Sequence, residues 1–332
     1  MLQEKKSSRL WFYVRLFFTI ALFAWVSGFL DWKKIFSALE QVHKGLFLAV
    51  LLMYVPKTVL AALTTQVLLR TVGVQKKVRD ILHTNFSAYF FSFCGDWLGG
   101  LVRWHGFSGE EERRGEALFS MIIEKYQLVF LSFWVFWQTS FFGITDPFKE
   151  RDRVIVRLGT VFFGSAIAVM WALLFTRLIP GNAPEHGPAA QKKAWFYFFV
   201  QKAKDMFRVR GNFLINRKGF WISLGYLFVN MVLGFIAFVI MLRAIDIRLG
   251  IYETLWVWSF LTLVQSVPIT IYGLGIREGT LMFALSHFGI SYEISFAFGI
   301  LWFLVMASLG IAGGVWFMCK GLPSGPLKGT RN

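Results

Sequence analysis

Cysteine is nearly absent from the chain. There are two in 332 residues, Cys94 and Cys319, each inside or at the edge of an apolar run. Two such residues make no disulfide framework and have no thiolate spacing for a metal. The histidines (His43, His83, His105, His186 and His287) are scattered, which excludes a histidine metal motif. No metal and no cofactor are expected. Charge is also scarce, with Asp, Glu, Lys and Arg at 16% of residues. Soluble domains carry about 25%, so an ordinary soluble globule is excluded. Proline is scarce at 8 residues while apolar residues reach 56%, and together these exclude a disordered chain. A Walker loop and a nucleophile–base–acid set are missing, so no catalytic residue is assigned.

Aromatic and apolar residues fill the space that charge leaves. Aromatics reach 18% and the mean hydropathy is +0.56. The composition is that of a polytopic membrane protein. Basic residues outnumber acidic ones 35 to 19, for a net charge of +16. They sit mostly between apolar runs, where they attract anionic lipid headgroups and set topology. No nucleic-acid module is visible, so nucleic acid is not an expected partner.

A spanning helix needs about 20 mainly apolar residues. Clear candidates lie at 10–30, 45–69, 118–144, 154–178, 219–242 and 292–318. Two further apolar segments are interrupted. One, 81–102, breaks at Cys94-Gly95-Asp96-Trp97-Leu98-Gly99-Gly100; the other, 254–288, breaks at Pro268 and then over Tyr272–Gly279. Proline removes a helical hydrogen bond and glycine adds backbone entropy, so both clusters favour re-entrant turns. Unwound backbone at that depth needs cover from protein or a wet cavity. If 81–102 crossed fully, the nine basic residues of 177–218 would fall outside the cell. The positive-inside rule therefore favours re-entry and a cytoplasmic N-terminus.

The expected fold is an all-α integral membrane bundle, about six full spans plus two re-entrant broken segments, in a single transmembrane domain over 1–332. Its halves, 10–144 and 154–318, read alike with opposite starting sides, the pattern of an inverted-topology repeat. Gly99-Gly100-Leu101-Val102-Arg103 and Gly273-Leu274-Gly275-Ile276-Arg277 look alike at the breaks. A Pro/Gly connector and a basic amphipathic stretch make 180–218 a cytoplasmic linker lying on the membrane surface. Gly310 and Gly314 form G-x-x-x-G in the last span, a spacing that permits close helix packing.

Ionisable residues inside membrane segments are functional candidates. Arg277 and Glu278 sit in the second break. Backbone N–H groups around Gly273 and Gly275, with a guanidinium, suit a phosphate or carboxylate. Glu278 either neutralises Arg277 in the empty site or meets a cationic headgroup; the alternative is a pair that only pins a loop. Asp96 and Arg103 are the counterparts in the first break. Asp96 reads equally as a helix cap, and Arg103 as an interface anchor. Lys57, mid-helix after Pro56, must face the bundle interior. Its candidate partners are Asp96, Glu124 or a lipid phosphate. Glu124 and Lys125 lie near one end of the 118–144 segment. Asp31 with Trp32 raises a thinner possibility, a lipid-linked sugar transferase.

The run Pro268-Ile269-Thr270-Ile271-Tyr272-Gly273-Leu274-Gly275-Ile276-Arg277-Glu278-Gly279 resembles the proline–glycine–arginine–glutamate signature of the lysylphosphatidylglycerol synthase transmembrane family, also called the flippase-like domain family. Gly95-Asp96 through Arg103 resembles the family's glycine–aspartate–arginine segment. Glu124-Lys125 resembles its Glu-Arg pair, with Lys replacing Arg. The basic stretch before 219 also has a counterpart there. The resemblance implies a bacterial inner-membrane protein that moves or handles anionic or modified lipids. In full-length aminoacyl-lipid members the membrane part flips lipid and a separate soluble domain transfers the aminoacyl group. This chain runs to Asn332, just past its last apolar segment, so no aminoacyltransferase domain is expected and a non-enzymatic translocase is the leading reading. Two other classes fit the same residues: a membrane-embedded transferase using Asp96 or Glu278, and a scaffold for a separate lipid-modifying enzyme. Membrane lipids with anionic headgroups are the expected partners.

Overall fold

A computed structural model describes residues 28, 30–93, 95–108, 114–140, 161, 164–165, 217–266 and 273–321, with the side chains of Asp96, Trp97 and Arg217 left out. The candidate spans 10–30 and 154–178 and the linker 180–218 lie outside the described residues except at single positions, as do Pro268 and Tyr272. The described residues form nine helices and no strand: α1 (Trp32–Glu40), α2 (Lys44–Thr71), α3 (Val78–Ser92), α4 (Asp96–Ser108), α5 (Arg114–Gln138), α6 (Arg217–Ala244), α7 (Ile251–Gln265), α8 (Ile276–Ser286) and α9 (Tyr292–Lys320).

Four of these, α2, α5, α6 and α9, are long and apolar enough to cross a membrane. Their 25 to 29 residues rise roughly 38–43 Å at 1.5 Å each, more than the ~30 Å hydrocarbon core. The polar residues of α2 do not interrupt it. Thr58, Thr64 and Thr71 donate their hydroxyls to carbonyls one turn back, at 2.7–2.9 Å. A hydroxyl so bonded is satisfied inside its own helix and needs no water. The outer faces of the long helices are apolar: Leu48, Leu52 and Val55 on α2, Phe228, Val229 and Val232 on α6, and Ile311 and Val315 on α9 are exposed. Stripes of this kind suit lipid contact.

The interrupted segments give pairs of short helices. α3 and α7 have 15 residues, α4 has 13 and α8 has 11. At 1.5 Å per residue each reaches roughly 17–23 Å, short of the hydrocarbon thickness. The first break is narrower than the glycines suggest. α3 ends at Ser92 and α4 begins at Asp96, so Gly99 and Gly100 lie within α4. Gly99 serves packing instead of a turn. A Cβ there would collide with Ser92 Oγ and sit 2.7 Å from the Ala88 carbonyl oxygen, so α4 folds back closely against α3. Gly273 and Gly275 do serve a turn, with φ of 70° and 82°, where side chains other than glycine are strained.

Helices α2–α5 and α6–α9 repeat one order: long, short, short, long. Their contacts interchange as well. α3 packs on α9 as α7 packs on α5, and α2 packs on α6. The equivalent helices α2 and α6 run antiparallel. Gly219 lies against Thr71, the Asn230 side chain donates to the Lys57 carbonyl (2.9 Å), and the His43 N–H donates to the Ala244 carbonyl (2.9 Å). The five-residue similarity between the breaks is not structural equivalence. Arg103 is the eighth residue of α4, whereas Arg277 is the second of α8.

Small residues set the α3–α9 spacing. Cβ atoms at Gly313 and Gly314 would strike Phe86 and Phe90 of α3, and one at Gly310 would strike Phe93 just past its end. The G-x-x-x-G of the last span is thus used within the chain. Asp31, the thin transferase candidate, caps α1 by accepting from the Lys33 N–H at 3.0 Å.

Candidate functional site

Two arginine–glutamate pairs, one from each half, meet at a cavity of about 740 Å³. The second-half pair starts from backbone geometry. Gly275, at positive φ, is the N-cap of α8 and leaves its N–H pointing at the third helical residue. That residue is Glu278. Its Oε2 accepts from Gly275 N at 2.7 Å, closing a cap of the helix end. Its Oε1 then accepts from Arg277 Nε at 2.9 Å and Nη2 at 2.7 Å. Neighbouring residues on a helix do not normally face each other; they meet here because Glu278 turns back to the cap and the guanidinium follows it. The pair is buried, with side chains 3% and 2% exposed. Gly299 of α9 makes room for it, since a Cβ there would be 3.0 Å from Glu278 Cγ. Phe303 lies under the guanidinium at 5.6 Å.

The anion position at the start of α8 is therefore held by the protein's own carboxylate. Glu278 thereby neutralises Arg277.

The first-half pair joins separate helices. Arg103 Nη2 on α4 donates to Glu124 Oε1 (2.9 Å) and Oε2 (2.8 Å) on α5. Thr65 of α2 donates to Glu124 Oε2 at 3.0 Å, so three helices converge on one carboxylate. Phe107 covers the guanidinium at 5.3 Å. This pair is wetter than the other, at 27% and 20% exposed. Arg103, Glu124, Lys125, Gly273 and Arg277 all line the cavity.

Lys57 is not brought into this set. Glu124, one candidate partner of Lys57, is taken by Arg103. Lys57 instead lies between α2 and α6, its Nζ over the Tyr54 ring at 5.2 Å and fitted into the space that Gly234 leaves. It is outside the residues that line the cavity. Asp96 is the first residue of α4, and its side chain lies outside the described residues. Sequence reasoning missed Thr65, Asn85 and Gln265, of which Asn85 and Gln265 line the cavity. The available signal was an uncharged amide within an apolar stretch, which hydropathy averages away.

The helices and the cavity between them define a multi-pass helical membrane protein with charged side chains where two broken segments meet. A family model described as "Lysylphosphatidylglycerol synthase TM region" matches residues 12–314. The chain belongs to that family, as the 268–279 motif implied. No curated protein and no solved structure matches the chain. The family points to a function connected with membrane lipid.

Proposed function

We propose that this protein translocates a lipid with an anionic headgroup across a bacterial inner membrane. The observation that carries this reading is the pair of arginines in the cavity wall. Arg103 and Arg277 come from the two broken segments, and both line the cavity. A bare phosphate in hydrocarbon is very costly, and a path needs fixed cations that share it. Arginine serves this purpose because its planar fork grips a phosphate at two points. In this reading the phosphate takes the place of a glutamate at one arginine, while the acyl chains stay in the bilayer. No nucleotide motif occurs in the sequence, so movement is downhill or coupled to an ion gradient, with Glu124, Glu278 or Asp96 as proton carriers in the second case.

The proposed topology has six full spans, two re-entrant hairpins and a cytoplasmic N-terminus. The short helix pairs and the antiparallel packing of α2 on α6 support an inverted-topology repeat. Single cysteines placed in 70–80 and in 103–117 are expected to react with an impermeant reagent from the same side. Labelling from opposite sides would rule out re-entry of the first hairpin.

The function is tested in proteoliposomes by the accessibility of labelled headgroups. Phosphatidylglycerol is expected to lose inner-leaflet protection far faster than in protein-free vesicles, and a zwitterionic lipid to do so more slowly. Arg103→Gln is expected to slow the anionic lipid about tenfold, the loss of one charge-assisted contact. Movement no faster than in empty vesicles, with and without an ion gradient, would reject unaided flipping of this lipid. The transferase reading needs a free carboxylate; both Glu278 oxygens are engaged, and the Asp96 side chain lies outside the described residues.

A further inference from the structure

Six buried side-chain atoms have no hydrogen-bond partner among the described residues, and two of them belong to residues that line the cavity. One is Arg103 Nε, a donor without an acceptor. The other is Asn85 Oδ1, an acceptor without a donor, on a residue only 5% exposed. An amide left unbonded at this depth costs free energy that a leucine of similar size would not. Asn85 shares its helix face with Ala88, Tyr89 and Ser92, and that face forms the α3 wall of the cavity. The carboxylates that line or adjoin the cavity already have donors, Glu124 from Arg103 and Thr65, and Glu278 from Arg277 and Gly275.

We infer that Asn85 reads a hydrogen-bond donor on the lipid headgroup, a hydroxyl or an ammonium, while Arg103 Nε donates to the adjoining phosphate. The pair of orphans is complementary to a headgroup that carries both an acceptor and a donor. A phosphodiester with a bare alkyl cap satisfies the arginine and leaves the amide oxygen without a donor. This inference deepens the translocase reading and rests on the same cavity.

The test uses the full chain in detergent and compares three lipids by titration of the melting temperature. Phosphatidylmethanol has the phosphodiester charge and no headgroup donor. Phosphatidylglycerol adds hydroxyls, and phosphatidylethanolamine adds an ammonium. Wild type is expected to bind at least one donor-bearing lipid about fivefold or more tighter than phosphatidylmethanol. The tighter of the two names the donor. In Asn85→Leu the preference is expected to vanish, while the lipid-free melting temperature equals or exceeds that of wild type. Asn85→Ala is the second variant and is expected to lose the same preference. Equal binding of all three lipids by wild type, or a preference that survives in both variants, would overturn the assignment. The proteoliposome assay decides separately on transport: a lipid preference without movement keeps Asn85 as a headgroup contact and rejects flipping.

Discussion

Glu278→Leu is expected to lower stability by about 3–5 kcal/mol and to stop headgroup movement. The physical reason is the guanidinium it leaves behind. Arg277 is 3% exposed, and both of its observed donor contacts end on Glu278 Oε1. Removing one partner of a buried pair strands a charge, which costs about 3–5 kcal/mol. The same change leaves the Gly275 N–H without its acceptor, so the start of α8 loses its cap as well. Replacing both partners, Arg277→Met with Glu278→Leu, removes the stranded charge. Most of the lost stability should return, because a buried ion pair exchanged for apolar side chains of similar volume is often neutral. Transport should not return, because the phosphate contact is gone. Unfolding midpoints in detergent and headgroup accessibility in proteoliposomes measure the two effects separately. A double variant that is stable and still transports would show that Arg277 only pins the loop.

Gly313→Leu is expected to cost about 3 kcal/mol or more, at the upper end of overpacking effects. Its Cβ would overlap the carbonyl oxygen of Phe86 and lie 2.7 Å from the carbonyl carbon. These are backbone atoms of α3, so no side-chain rotation relieves the clash. The helices must separate, and the loss spreads over the aromatic seam in which Phe86 packs on Trp316 at 5.3 Å. Within a membrane such seams depend on close packing, because lipid tails supply no hydrophobic drive between helices. α3 also carries the cavity wall, so lipid movement should fall together with stability. Gly225→Ala is the control. A Cβ there meets nothing within 4 Å. It should leave stability unchanged or raise it by up to about 1 kcal/mol, the helix-propensity gain over glycine. Equal melting temperatures for Gly313→Leu and wild type would contradict the packing described for α3 and α9.

Much of the architecture was legible in the sequence, because a span is a local property. Length and hydropathy alone place α2, α5, α6 and α9, since about 20 apolar residues are long enough to cross the hydrocarbon core. The second break was legible for the same kind of reason: glycine is needed at Gly273 and Gly275, where φ is positive. Arg277 and Glu278 are charged residues within that break, so both were legible as candidates without knowledge of other helices. The family followed from the same run of residues.

Tertiary structure decided which side chains meet. Each residue turns a helix by about 100°, so a charge's partner depends on how every helix is rotated and tilted, and hydropathy carries neither quantity. Hence Glu124 was legible as a candidate, but its bonds to Arg103 and Thr65 were not. Lys57 was expected to face the bundle interior and does, yet it packs between α2 and α6 rather than at the cavity. Gly99 looked like part of a turn and proved to be the point where α4 presses on α3. Asn85 drew no notice as an uncharged residue in an apolar stretch. Its significance depends on what surrounds the amide, a cavity on one side and no donor for its oxygen, and only the packed helices supply that environment.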